Sequence, residues 1–133
     1  MNKNIAILIS LFLVSKVKAQ DVHPSNGDRY FKQATMSLFE NDLGSARSFF
    51  DSAFTEFRLD SNFHKMNECT VAKAFIEFTN GNLVKSLEIF EASKEFHKRW
   101  CEDDHEGLKI IEDSILICKQ EISRSLYMNQ FKK

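Results

Sequence analysis

The chain has 133 residues, 43% of them apolar, 12% aromatic and 28% charged, with 18 Lys and Arg against 19 Asp and Glu and a net charge of −1. That length fits one domain with its own core, and no basic stripe is present of the kind that tracks nucleic-acid phosphates. One Pro and four Gly leave too few breakers for a turn-rich all-β chain, so the composition predicts a protein that is helical throughout.

Residues 1–19 carry Lys3, an apolar run from Ile5 to Val14 broken only by Ser10, and the small or β-branched triplet Val17-Lys18-Ala19. This is the pattern of a secretory signal peptide cut after Ala19. The run is half the length of the roughly 20 apolar residues that span a bilayer. An uncleaved N-terminal anchor is the alternative, favoured by Lys16 and Lys18 beside the cut. Cleavage removes three lysines and leaves 114 residues with 15 basic and 19 acidic side chains, net −4. The expected location is periplasmic or secreted, with no membrane attachment once the leader is gone.

After the leader, residues 20–27 hold the single Pro and no apolar period, which predicts a flexible lead. A first helix is expected from Asp28 to Asn41, with Tyr30, Phe31, Ala34 and Leu38 three and four apart. Asp42 caps a second, whose apolar face is Leu43, Ala46, Phe49, Phe50, Ala53, Phe54 and Phe57. Asp60 and Ser61 offer caps for a third, striped by Met66, Val71, Ala74, Phe75 and Phe78 as far as Thr79. Asn80-Gly81-Asn82 is the clearest stop and start, with Gly81 suited to a left-handed cap and Asn82 to the free N–H groups that follow. The fourth helix carries Leu83, Leu87, Ile89, Phe90 and Phe96 to a soft end near Trp100. Asp103 and Glu106 have capping-box spacing, and Leu108, Ile111, Ile115, Cys118, Ile122 and Leu126 extend a fifth helix to Met128.

These helices repeat at a shift of forty positions. Ala34 recurs as Ala74 and Ser114, Leu38 as Phe78 and Cys118, Leu43 as Leu83, Ala46 as Ser86, Phe50 as Phe90 and Ala53 as Ser93. A helix pair that recurs at fixed spacing cannot bury its apolar stripe alone and must stack on its neighbours. The period therefore predicts a helical solenoid, a binding surface more than a catalytic pocket.

Ala34, Asn41-Asp42-Leu43, Ala46, Phe50 and Ala53, and again Ala74, Gly81-Asn82-Leu83, Ser86, Phe90 and Ser93, resemble a tetratricopeptide repeat in a longer-period form. The resemblance covers residues 28–130. It implies an all-α fold of two stacked antiparallel helical hairpins over 28–103, a terminal capping helix over 104–130, and a right-handed solenoid. The aromatic and glycine usual on the first helix are missing, no proline closes the second, and the usual period is about 34. The longer spacing is similar to that of repeats in bacterial signalling proteins, so a sensor-type remnant of a signalling receptor is an alternative reading. HEAT repeats overlap in period but their proline and basic ladder are absent. A helical bundle with accidental periodicity is the remaining alternative.

In tetratricopeptide proteins the first helices line a concave groove. Carried over, the resemblance implies a partner-binding groove of Phe31, Thr35, Leu38, Phe39, Val71, Phe75, Phe78, Ile111 and Ile115. Phe31 and Val71 stand where a clamp for a carboxylate would need a basic side chain, so the expected partner is a helical or apolar protein or peptide segment, not an acidic tail. Packing as core is the alternative for the same stripe. Ile111, Ile115, Cys118, Ile122 and Leu126, at steps of three and four, offer a homodimer seam on the terminal helix if α-helical packing leaves it uncovered. His97, Cys101 and His105, four apart beside Asp104, resemble a zinc set, but the helix start at Asp103 and Asp104 breaks their shared face and no fourth ligand is evident. No phosphate loop, nucleophile elbow or paired His-Glu motif is present, so neither catalysis nor a cofactor is expected. Three Cys allow at most one disulfide, with Cys101–Cys118 the first choice and three core thiols the alternative.

Overall fold

A computed structural model describes residue 9 and residues 24–131. Among the described residues there are five α-helices and no strand: α1 (Asn26–Phe39), α2 (Leu43–Leu59), α3 (Phe63–Thr79), α4 (Leu83–Trp100) and α5 (His105–Asn129). The protein is all-α, and each helix packs chiefly on those before and after it in the chain. The signal peptide expected over 1–19 lies outside the described residues except for Ile9, which is half-buried against the core. None of the described helices is long and apolar enough to cross a membrane.

The first three helix junctions are one turn used three times. Asn41, Ser61 and Gly81 take φ of 59°, 52° and 82°. At each, the next residue's N–H reaches back five positions: Asp42 to the Ser37 carbonyl (2.8 Å), Asn62 to Phe57 (2.9 Å) and Asn82 to Glu77 (2.9 Å). The left-handed residue's own N–H bonds Leu38, Arg58 and Phe78 respectively. This satisfies carbonyls that every helix end leaves orphaned. The local spacing is thus twenty residues, and the period of forty is two such turns. The fourth junction breaks the rule, since α5 starts at His105 after a longer link.

Side-chain caps depart from the expected residues in four places. Ser25 and Asp28 form a capping box, so α1 begins at Asn26 and takes up the end of the expected flexible lead. Asn62, not Asp60 or Ser61, caps α3 by accepting from Lys65 N–H. Asp104, one residue later than expected, caps α5 through Gly107 N–H at 3.0 Å. Asn82 makes no side-chain cap because its Nδ2 donates to Glu77 Oε2 at 2.8 Å. Buried Glu77 also takes Arg47 at 2.7 Å, which ties α2, α3 and the start of α4 together. A buried carboxylate needs such partners, because desolvation without them costs several kcal/mol.

The core follows the repeated positions. Ala34, Ala46, Phe50, Ala53, Ala74, Ser86, Phe90, Ser93 and Ser114 are all at most 1% exposed. Small side chains let helix backbones approach closely, and Ser86 shows how closely: its hydroxyl donates to the Ala74 carbonyl on the facing helix at 2.7 Å. Phe50 meets Phe31 edge-on at 5.2 Å between ring centres, and Phe90 meets Phe75 in the same way at 5.2 Å. Ser93 Oγ donates to Asn67 Oδ1 at 2.8 Å, so the polar replacements of the second unit are satisfied inside the core. All three cysteines are buried free thiols, which corrects the expected Cys101–Cys118 bridge.

Candidate functional site

The apolar groove expected on the first helices is mostly interior. Phe31, Thr35, Val71, Phe75, Phe78, Ile111 and Ile115 are buried, Leu38 is half-buried, and only Phe39, at 68% exposure, stands in solvent. Thr35 spends its hydroxyl on the Phe31 carbonyl at 2.9 Å. These side chains are consumed by packing because a stripe this wide must be covered by its neighbours. Two of them, Val71 and Ile111, also reach the surface of a cleft.

That cleft has a volume of about 240 Å³ and opens between α3, the end of α4 and the first turns of α5. Val71, Ile110 and Ile111 give it an apolar wall, while Glu68 from α3 and Asp104 and Glu106 from α5 give it carboxylates. His64 and Asn67 contribute from α3, His97 and Cys101 from α4 and its end, and Gly107 from α5. No Lys or Arg lines it. The cleft is therefore acidic as well as apolar, which differs from the purely apolar groove expected.

Each wall is held in place. His97 is 3% exposed, and its Nε2 donates to the Asp104 carbonyl at 2.7 Å, tying the end of α4 to the cap of α5. Its ring lies so near Gly107 that a Cβ there would stand 3.0 Å from His97 Cε1. Asn67 donates to the Ser93 carbonyl at 3.3 Å. His64 stands 3.7 Å from Asp103 at the rim. Burial, then the negative charges of Asp104, Asp103 and Glu68, push the Cys101 thiol up to about 11. It is a neutral thiol near pH 7 and a probe of the carboxylates around it.

Of the residues that suggested zinc, His97 and Cys101 line the cleft, whereas His105 is exposed on the first turn of α5. Among the described residues, no three of His, Cys, Asp and Glu are grouped to hold a metal ion. On the expected dimer seam, Ile111, Ile115 and Cys118 are buried, Ile122 is half-buried and Leu126 is 63% exposed. The seam is thus covered over its first half and bare over its second.

Motif reading overlooked the cleft, yet the repeat carries a signal for it. Forty positions relate Phe57 to His97 and Gly27 to Asn67, so apolar positions of the first unit become buried polar ones in the second. Those exchanges fall on the cleft walls. No family model, curated protein or solved structure matches this chain.

Proposed function

We propose that this chain is an exported, noncatalytic protein-interaction module of tetratricopeptide-like architecture, and that its partner segment enters the cleft between α3 and α5. In this reading α1–α2 and α3–α4 are two stacked hairpins of a right-handed solenoid, and α5 is the terminal helix that completes the cleft. The recurring turns and the paired Phe31–Phe50 and Phe75–Phe90 contacts support the architecture. The observation that carries the function is the cleft itself: a concavity with an apolar wall and several convergent polar groups, which is how peptide and ligand sites are built. Export rests on the leader pattern of residues 1–19.

The experiment is capture from an envelope extract by the purified chain and by a Glu68→Gln/Glu106→Lys variant, with circular dichroism confirming that both fold. A protein retained by the wild type and lost with the variant is the expected result. Equal retention by both, or none by either, overturns the reading.

Self-association through the outer half of α5 is a second element of the proposal. It is favoured by the exposure of Leu126, Tyr127, Met128 and Phe131 in one stretch of that helix and the residues following it. Sedimentation equilibrium that shows a dimer, dissociated by Leu126→Glu, supports it. A monomer at high concentration removes it.

A further inference from the structure

The repeat places a filled counterpart of the cleft elsewhere in the molecule, and what fills it identifies the missing occupant. Between α1 and α3, Lys65 extends from α3 across to α1, where its ammonium meets Asp28 Oδ1 at 2.5 Å. On the way it lies 5.3 Å from the centre of the Phe57 ring, which α2 supplies. Forty positions on, Asp28 corresponds to Glu68, Phe57 to His97 and Lys65 to His105. Glu68 and His97 line the cleft between α3 and α5, but the residue in the lysine's place is a shorter side chain, exposed on the first residue of α5. The longer link before α5 starts that helix two positions late in the register set by α3. No basic side chain of the chain's own lines the second cleft.

From this we infer that the cleft receives a lysine side chain of the partner, in the manner in which Lys65 occupies the first. The inference rests on the proposed interaction role and names the chemistry that the partner must bring. The stem of the side chain lies along Val71, Ile110 and Ile111, and its ammonium meets the carboxylates of Glu68, Asp104 and Glu106. The shape suits a long aliphatic stem with a charged end, since such side chains bury their methylenes while the head keeps polar partners. A norleucine would find the wall but leave the carboxylates without a cation, and a glutamate would face like charge. The raised Cys101 thiol agrees with a negative potential at this place.

The test uses the full chain, labelled with nitrogen-15, and titrations followed by NMR with Nα-acetyl-lysine methylamide, its Nε-acetylated form, and Nα-acetyl-norleucine methylamide. Saturable shifts centred on the amides of Gly107 and Ile110 are expected with the lysine probe, with binding at least about tenfold weaker for the other two. A His105→Lys variant then places a lysine where the first unit has one. It changes an exposed side chain, so the fold should persist, and it is expected to weaken the lysine probe by about tenfold through internal occupation of the cleft. No saturable response, or equal responses to lysine and norleucine, overturns the inference. So does a His105→Lys protein that binds the probe as the wild type does. If a partner is captured through the cleft while the lysine probe fails, this inference falls and the interaction reading stands. A lysine response without any captured partner has the opposite meaning.

Discussion

Gly27→Ala sets two physical effects against each other, and the structure decides the sign. A Cβ at Gly27 would lie 2.5 Å from Phe57 Cε1, 2.6 Å from Cδ1 and 3.0 Å from Cζ. Favourable carbon contacts need about 3.5–4.0 Å, so the ring must retreat by roughly 1 Å. Phe57 is 2% exposed and lies beneath the Lys65 ammonium, so its retreat disturbs the Lys65–Asp28 pair as well. Overpacking of this kind costs about 1–3 kcal/mol. Against it stands the helix preference for Ala over Gly, at most about 1 kcal/mol and less in the first turn of α1. The net expectation is a destabilisation of about 1–2 kcal/mol, read as a lower urea midpoint with an unchanged slope by circular dichroism. Gly44→Ala is the control, because its Cβ would meet only Asp42 Oδ1, at 4.0 Å, and should leave stability equal or slightly raised. A neutral or stabilising Gly27→Ala would refute the packing of Phe57 on α1.

Gly81→Ala should cost about 1 kcal/mol by the same assay, purely through backbone strain, since φ is 82° and the space around it is open; an unchanged midpoint would contradict the turn. Asp28 is partly desolvated, which raises its pKa, but the Lys65 bond, the Ser25 bonds and the Lys65 charge outweigh this and hold the carboxyl below its ordinary range. A depressed folded pKa adds stability that is present above the unfolded value near 4 and fades as pH falls below it. The loss of stability on acidification below pH 4 should therefore be shallower in Asp28→Asn than in the wild type, and identical slopes would count against the pair. Without reductant, all three thiols should react with Ellman's reagent in denaturant and react slowly in the native protein at pH 8, because each is buried; a single reactive thiol in denaturant would restore the disulfide.

Helix number and type were legible because their signals are local: the three- and four-residue steps of Ala34, Leu38, Phe50, Phe75 and Phe90 survive any tertiary arrangement. The turn at Gly81 was legible for the same reason, as a glycine before an asparagine. Its equivalents at Asn41 and Ser61 were not recognised as the same turn, because neither side chain announces a positive φ. Caps were misplaced by a residue or two where several acceptors sit together, as at Asp60, Ser61 and Asn62, and Asn82 was lost to a tertiary partner, Glu77. Groove residues were hardest, since periodicity marks a side chain as apolar without saying whether a helix or solvent covers it. Phe75 and Phe78 are covered; Val71 and Ile111 are covered and still border a cleft. The acidic character of that cleft arises from Glu68 and Glu106, 38 positions apart, and only folding brings them to the same cavity.

Site-specific photo-crosslinking tests most directly whether this cleft is where the partner docks. The full chain is produced with p-benzoylphenylalanine at the rim position Glu106 and, separately, at the exposed positions Ser48 on α2 and Glu88 on α4. Irradiation in the producing cells should join a discrete partner to the Glu106 derivative and leave the other two unjoined. Adducts from Ser48 or Glu88 with none from Glu106 would show that the partner binds elsewhere.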